Sequence, residues 1–475
     1  MTRGYSPAVS AAFVFARPYA SFIVFALFAA GWPRAGLAQD LRAPPSERPP
    51  STSQASDSVG RRISPPNPAS SPSPSNEPAE LTLRDALALA LQRNPELAAF
   101  GKERFATEAA ILQAGVLPNP VLGVAADNLG NTRKAEAGDR TTSIQIGQLI
   151  ELGGKREARV RAAEAGRDLA AWDYEAKRIE IVSAVAQRFV DVLAAQQRQK
   201  LAEEALVMAT QVADGVSKRV QAGKVSPVEE TKAQLARASA EVELGQARRE
   251  ALATRSSLGV LWASLTPRFE KAIGDLERTV PLPAYEQLAD RVRSSPELAR
   301  WSSEIARRQA GVDAEKAKTV PDVTVTAGVA RFNQFNDHAY MIGISIPLPL
   351  FDRNRGGVLE ASRRLDKATD ELRAVEGRVL TELTQAYQRL AAIEQEIQTL
   401  RTVLLPGSQS AFDAATKGYQ LGKFGFLDVL DAQRTLFQTR TQHLRALADY
   451  QRGVSVIERL IGGSLDMAPN AANRQ

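Results

Sequence analysis

Two hydrophobic periods divide this chain. Leu383, Ala386, Leu390, Ile393, Ile397, Leu400 and Leu404 follow an unbroken alternation of three and four residues. That spacing is a coiled-coil seam rather than a broad globular face. Leu447, Tyr450, Val454, Ile457 and Ile461 repeat it near the C-terminus, and Val182, Val185, Phe189 and Val192 carry it in the first half. The stretches from Lys155 to Ala222 and from Asn354 to Leu421 read as long helices of nearly equal length. At a rise of about 1.5 Å per residue each would reach roughly 100 Å. Pro406-Gly407 predicts a kink or interruption in the second.

The other period is two. Val323, Val325, Ala327 and Val329 alternate with Thr324, Thr326, Gly328 and Ala330, and Tyr340, Ile342, Ile344 and Ile346 alternate with Met341, Gly343 and Ser345. These are strand signals, joined by a polar turn at Arg331 to Asp337, and His338 is read as a residue of that turn. Ile144 and Ile146 alternate with Ser143, Gln145 and Gly147 in the first half. Val121 to Asp127 is a weaker partner across a polar loop, Asn128 to Arg140. Segments of about ten residues with one apolar and one small or polar face fit membrane-barrel strands and soluble hairpins equally well.

The whole pattern occurs twice, about 200 residues apart. Asn94-Pro95-Glu96-Leu97-Ala98 returns as Ser295-Pro296-Glu297-Leu298-Ala299, and Val116-Leu117-Pro118-Asn119 as Thr319-Val320-Pro321-Asp322. Gln221-Ala222-Gly223-Lys224 returns as Gln420-Leu421-Gly422-Lys423, and Ala233-Gln234 as Ala432-Gln433. Four matches in one order establish an internal repeat. The divisions read from it are 81–280 for the first repeat, 281–463 for the second and 464–475 for a flexible tail.

Two segments precede the repeats. Arg3 and Arg17, the apolar run Tyr19 to Ala30 and the small residues Gly36-Leu37-Ala38 read as a secretory leader over 1–38. An N-terminal membrane anchor is the competing reading, but the run is short for a span. Residues 39–80, with Pro49-Pro50, Pro65-Pro66 and alternating Ser and Pro at 70–75, read as a disordered Pro/Ser-rich tether. No later apolar stretch is long enough for a membrane helix, so any crossing falls to strands.

Composition narrows the chemistry. Of 60 basic residues three lie in the leader, leaving 57 against 54 acidic, too balanced to point to nucleic acid. Cysteine is absent, and His338 and His443 are far apart in sequence, so a thiolate nucleophile, a disulfide frame and a His-based metal centre have no material. Neither a catalytic constellation nor a phosphate loop is visible, and no cofactor is expected. Four strands in one chain cannot close a barrel, and open edges are intolerable in lipid. Three copies give twelve strands, so the pattern itself calls for an oligomer.

With these features in place, the chain from about Leu81 to Gly463 resembles the TolC-like outer-membrane efflux family. The most specific motif runs from Gly418 to Gln433, Gly-Tyr-Gln-Leu-Gly-Lys-Phe-Gly-Phe-Leu-Asp-Val-Leu-Asp-Ala-Gln, with a counterpart at Arg219 to Gln234. Gln148-Leu-Ile-Glu-Leu-Gly-Gly-Lys-Arg156 and Ile344-Ser-Ile-Pro-Leu-Pro-Leu-Phe-Asp-Arg-Asn-Arg-Gly356 are similar to motifs of its heavy-metal, cobalt-zinc-cadmium type branch. The resemblance implies a mainly α fold with a small membrane β-barrel contribution. Each chain would supply four strands to the twelve-stranded barrel of a homotrimer, and long coiled-coil helices to a periplasmic α-barrel. It further implies a passive exit duct in the Gram-negative outer membrane, with divalent heavy-metal cations as its cargo. The implied partners are a periplasmic adaptor (membrane fusion) protein, an inner-membrane resistance-nodulation-division pump and outer-membrane lipid.

The same resemblance assigns residues. Asp428 and Asp431 lie three apart on one helix face and would line the pore constriction, with Glu229 at the matched first-half position. Ordinary solvated acids at a helix start are the alternative. Gly223 and Gly422 supply the freedom of the tip reversals. Tyr419 matches a position that helps latch the closed tip, with simple helix packing as its alternative. Phe424 departs from the polar or basic residue common in the family, so no latch bond is carried over to it, and an exposed ring there would instead face the adaptor; Lys224 and Lys423 would face it too, with solvated turn lysines as the alternative. Gly153, Gly154, Pro347 and Pro349 mark the swivel from strand to helix. Two other readings compete: a channel for drugs or secreted polypeptides, and a soluble periplasmic coiled-coil adaptor or scaffold.

Overall fold

The computed structural model describes residues 77–127, 140–333 and 336–465, all within the unit Pro74–Gln475. The leader, the tether up to position 76, nearly all of the predicted loop at 128–140 and most of the tail lie outside the described residues. The first pass of the repeat is β1 (Glu80–Thr82), α1 (Leu83–Arg93), α2 (Pro95–Ala114), β2 (Val121–Asp127), β3 (Thr141–Ile150), α3 (Lys155–Gln221) and α4 (Pro227–Gly259). The second is β4 (Lys271–Ile273), α5 (Tyr285–Arg293), α6 (Pro296–Ala317), β5 (Val323–Phe332), β6 (Asp337–Ser345), α7 (Arg355–Thr399), α8 (Leu405–Gln420) and α9 (Phe426–Ile461).

Local chemistry sets the element ends. The Thr82 hydroxyl accepts from the Asp85 amide at 3.3 Å while Asp85 Oδ2 accepts from the Thr82 amide at 3.2 Å, a reciprocal cap for α1. Asn94 Oδ1 accepts from Leu97 N at 2.9 Å, and Pro95 occupies the first turn, where its missing N–H costs nothing. Ser295 holds the same place before α6, but its buried hydroxyl has no hydrogen-bond partner among the described residues.

Glu77 and Ala79 are tied to the end of the first repeat. Trp262 Nε1 donates to Glu77 Oε1 at 2.7 Å, and Ala79 O accepts from the amides of Glu270 and Lys271. β1 then pairs in parallel with β4, so equivalent strands of the two repeats meet each other. They pack on the main core with α1 and α5. That core also takes Val185, Phe189 and Val192 of α3, Leu383, Leu390, Ile393 and Ile397 of α7, and Leu447, Tyr450, Val454, Ile457 and Ile461 of α9. The coiled-coil seams are therefore buried as their spacing predicts.

Leu404 is the exception, at 44% exposure. Residues Leu400–Leu404 form a π-helical turn, and the helix continues through Pro406 and Gly407 into α8. The predicted interruption is thus a widening, not a break. A π turn carries more residues per turn than an α turn, which rotates the succeeding residues about the helix axis and turns Leu404 out of the seam.

The larger sheet is antiparallel in the order β2-β3-β5-β6. Its register sorts side chains into two faces. Val124, Ile144, Val329 and Tyr340 form one row across all four strands, and Leu122, Ile146, Ala327 and Ile342 the next; Gln148, Val325 and Ile344 make the third. The opposite face carries Gly123, Gln145, Gly328 and Met341, then Ala125, Ser143, Ala330 and Ala339. An apolar face that stays open, Tyr340 at 88% and Ile342 at 84%, backed by small and polar residues, is the division a membrane barrel wall requires. The row Ala126, Thr142, Arg331, His338 closes the apolar band at one end. His338 therefore belongs to β6, opposite Arg331, rather than to the turn: β5 runs to Phe332 and β6 begins at Asp337.

Helices follow the same lateral order. α2 packs on α3, α3 on α6 and α6 on α7; lower down α4 packs on α3, α3 on α9 and α9 on α8. β2, α2 and α4 thus form one lateral edge, and β6, α7 and α8 the other. Among the described residues no helix is long and apolar enough to cross a membrane.

Candidate functional site at the helical tip and the strand-to-helix junction

Both helical hairpins reverse through the same turn. Gly223 has φ +66° and Gly422 φ +73°, a region a side chain rarely adopts. Lys224 N donates to Arg219 O at 2.9 Å and Gly223 N to Val220 O at 2.8 Å; Lys423 N donates to Gly418 O at 2.8 Å and Gly422 N to Tyr419 O at 3.0 Å. These paired bonds are Schellman caps, which satisfy the last carbonyls of α3 and α8. Lys224 and Lys423 stand exposed on the two turns.

The hairpins are tied together by Tyr419. Its hydroxyl donates to Glu229 Oε2 at 3.3 Å, its carbonyl accepts from an Arg219 guanidinium N–H at 3.0 Å, and that guanidinium lies 4.3 Å from its ring centre. The ring also meets Phe426 at 5.8 Å, and Phe426 is buried with Ala213, Val216 and Ala233 of the first hairpin. Burial pushes the Tyr419 phenol above its ordinary range; Arg219 opposes this and Glu229 reinforces it. Glu229 is thus half-buried and bonded to Tyr419.

Asp428 and Asp431 are both exposed on the first turns of α9. Asp428 Oδ2 accepts from Gly425 N at 2.8 Å, so this carboxylate also caps the helix. Asp431 has no hydrogen-bond or ion-pair partner among the described residues. Phe424 is half-exposed, and its ring lies over Gly418, where a methyl group would come within 2.1 Å of it. Only part of Phe424 is therefore left for a partner.

The junction between sheet and long helix is built from different residues in each repeat. Gly153 and Gly154 have φ +70° and +69°, and a Cβ on Gly153 would sit 2.6 Å from Val320 Cβ. In the second repeat Asn354 takes the left-handed position ahead of α7, φ 51°, and its Nδ2 donates to Glu315 O and Oε2 at 2.8 Å each. Pro347 and Pro349 lie in the irregular run after β6, beside the exposed Leu348, Leu350 and Phe351. Lys155 Nζ meets Asp322 Oδ1 at 2.7 Å, and Leu152 N donates to the same oxygen at 3.1 Å. Partial burial raises the Asp322 pKa, but Lys155 and the Leu152 amide outweigh it and hold the carboxyl below the usual range.

Sequence reasoning missed Arg219, Asp322, Asn354 and Gly418 as functional positions. Each lay inside a recognised motif. Setting the repeats against each other pairs Arg219 with Gly418 and Gly154 with Asn354, and such mismatched pairs were the available signal. Among the described residues no group of three or more His, Asp or Glu is arranged to hold a metal ion.

A sheet with one lipid-compatible face, continuous with paired helices that end in capped reversals, defines a membrane-anchored duct of strand and helix. The chain belongs to the outer membrane efflux protein family, whose model matches residues 86–264 and 290–463. It is 42% identical over 382 residues to the cobalt-zinc-cadmium resistance protein CzcC of Cupriavidus metallidurans, covering 80% of this chain and 90% of that one. It is 27% identical to the nickel-cobalt-cadmium resistance protein NccC of Alcaligenes xylosoxydans xylosoxydans, over 67% of this chain and 71% of that one. Among solved structures it matches CusC with a TM-score of 0.68 at 20% identity, covering 80% of this chain and 92% of that one. The outer membrane protein VceC of Vibrio cholerae matches with 0.67 at 20% identity, over 80% and 96%. This is the TolC-like fold, and the protein is an outer-membrane efflux channel.

Proposed function

We propose that this chain is the exit duct of a tripartite export system for divalent heavy-metal cations, acting as a homotrimer without catalysis of its own. The observation that carries the cargo is the 42% identity with a cobalt-zinc-cadmium resistance protein across nine-tenths of that protein's length. The trimer is supported by the lateral edges. β2 and β6 each leave one edge unpaired, which lipid does not tolerate. The helical edges are apolar as well: Phe105 and Leu112 of α2 and Val228, Leu235 and Val242 of α4 recur at seven-residue intervals, facing water on one side. Leu359 of α7 and Leu421 beyond α8 do so on the other. Joining edge to edge around a threefold axis covers both and closes twelve strands.

In this arrangement Asp428 and Asp431 stand at the periplasmic entrance, where three copies concentrate carboxylates and favour cations. Tyr419, Arg219 and Glu229 hold the entrance narrow. The tip turns, with Gly223, Lys224, Gly422, Lys423 and the free part of Phe424, meet a periplasmic adaptor, which couples the duct to a proton-driven inner-membrane pump of the resistance-nodulation-division type. Gly153, Gly154, Pro347 and Pro349 let barrel and helices swivel. The test is deletion of the gene and growth on zinc, cobalt, cadmium, nickel and copper beside several antibiotics. Sensitivity to one or more metals, restored by the gene, is expected. Equal survival on every metal refutes the cargo.

A further inference from the structure

We propose that Arg434 and Arg445 form a basic belt inside the duct, immediately above the acidic entrance. This junction of opposite charge makes the duct rectify in favour of outward cation flow. The proposal rests on the channel reading and adds a second selectivity element to it.

The placement comes from the two sides of the α3–α9 seam. On one side the chain at Gly274 to Glu277 lies against Leu193, Gln197 and Leu201 of α3 and His443, Leu444 and Leu447 of α9. This layer continues into β1, β4, α1 and α5. A layer of that bulk has to lie outside a tunnel, because inside it would fill the bore. On the opposite side α4 and α9 flank α3 and leave an open groove of about 820 Å³. Its floor is Ala205 and Ala209, and its charged groups are Arg198, Glu243, Arg434 and Arg445. That side faces the bore.

Charge in the groove is not balanced. Arg198 is paired with Glu250 at 2.9 Å. Arg434 and Arg445 are exposed and have no ion-pair partner among the described residues; Glu243 shares the groove with them, and the carboxylates beside Arg445 on its other side, Asp191 and Glu250, are paired with Arg452 and Arg198. Asp428 and Asp431 precede them on the same helix. Along the α9 axis Arg434 is about 4.5 Å above Asp431 and Arg445 about 21 Å, at 1.5 Å per residue. The first separation is shorter than the screening length of about 10 Å in 0.1 M salt. The cation-selective ring and the near edge of the anion-selective belt, at Arg434, therefore adjoin within one screening length, and the belt extends from there to Arg445. Driving cations from tip to barrel brings anions from the other end, so both carriers accumulate at the junction and conductance is high. The reverse polarity withdraws both and depletes it. The favoured polarity is the export direction.

The test is single-channel recording of the purified trimer in planar bilayers, in a Tyr419→Phe background that frees the tip. The chain has no cysteine, so Gln221→Cys, labelled from one chamber with a bulky thiol reagent, reports which side holds the tip. In 0.1 M KCl the current carrying cations from tip to barrel is expected to exceed the reverse by on the order of twofold, approaching equality at 1 M, where the screening length is about 3 Å. Arg434→Gln with Arg445→Gln is expected to abolish the asymmetry and keep the conductance. Symmetric curves before the substitution, or unchanged curves after it, overturn the basic belt. An unchanged curve in that variant, together with a shifted reversal potential in Asp428→Asn with Asp431→Asn, overturns the belt alone. Absence of any conductance overturns the channel reading instead.

Discussion

Breaking the tip latch one contact at a time gives a graded prediction. Three contacts join the second hairpin to the first through Tyr419: the phenol to Glu229 at 3.3 Å, the Arg219 guanidinium to the Tyr419 carbonyl at 3.0 Å, and that guanidinium over the ring at 4.3 Å. A hydrogen bond to a charged group contributes about 1.5–3 kcal/mol when well formed, and this long, half-exposed one sits below that range, at about 1. The cation–π contact adds about 1 kcal/mol and the guanidinium–carbonyl bond about another 1. Tyr419→Phe removes only the first; Arg219→Ala removes the other two. Per protomer the losses are about 1 and about 2 kcal/mol, and three copies opening together multiply these to about 3 and about 6. The opening equilibrium then moves by roughly 10² for Tyr419→Phe and 10⁴ for Arg219→Ala, at about 1.4 kcal/mol per tenfold. Open-channel occupancy in planar bilayers at fixed voltage reads this directly. A double-mutant cycle of Tyr419→Phe with Glu229→Ala should return a coupling of about 1 kcal/mol per protomer, about 3 for the trimer opening as one. Zero coupling, or an Arg219→Ala channel as quiet as the unaltered one, refutes the latch.

Three further outcomes concern the junction and the core. Gly153→Ala meets both a positive φ and Val320 Cβ at 2.6 Å, whereas Gly154→Ala meets only the backbone cost, its nearest neighbour being Glu157 Oε2 at 3.6 Å. Thermal melts should show about 1 kcal/mol lost for Gly154→Ala and clearly more for Gly153→Ala. Because the Asp322 pKa is depressed in the folded chain, its contribution is present at neutral pH and fades as pH falls below the ordinary aspartate value of about 3.9. Asp322→Asn should lower stability at pH 7 and flatten the acid limb of the stability curve, measured by denaturant titration. Burial depresses the His443 pKa, with Glu277 opposing and Arg401 assisting, so its stabilisation holds above about pH 6.5 and is lost as pH falls through the lower folded value. His443→Gln should therefore reduce the loss of stability measured between pH 7 and pH 5.

Much of this architecture was legible because it is written in long periods. A seam such as Leu383 to Leu400 fixes a helix and its buried side together, and alternation at Val323 to Val329 fixes a strand and its two faces. The tip glycines were legible because a positive φ leaves few residue choices. The latch was only half legible. Tyr419 was expected, but its partners lie about 200 residues away, and nothing local to Arg219 says that it will stack on that ring. Ring and guanidinium meet because the duplication lays the tip of the second hairpin, where α8 ends, beside the tip of the first, where α3 ends. Asp322 was hidden for the same reason: its partner Lys155 comes from the other repeat. His338 was misplaced because β5 runs two and β6 three residues deeper into a polar segment than their apolar pattern does; strand pairing continues past the lipid-facing band.

The most informative asymmetry between the repeats is the joint in the second one. α3 runs unbroken over 67 residues, whereas its counterpart is 45 residues of α7, a five-residue π turn and 16 residues of α8. Pro406 explains the difference. In an α-helix its ring would collide with the carbonyl four residues back, that of Thr402, and its missing N–H would leave that carbonyl unpaired, a cost of about 3 kcal/mol. Thr402 is the central residue of the π turn. Widening the helix there moves the carbonyl away, and the side effect is the outward rotation of Leu404. The turn therefore holds in effect one residue more than an α-helix needs. Deleting the exposed Val403 from the natural chain should restore the collision and destabilise the protein by about 3 kcal/mol. Deleting it together with Pro406→Ala removes the obstacle and should recover most of that loss, read by denaturant titration. If the single deletion proves as stable as the double variant, proline is not what holds the turn open.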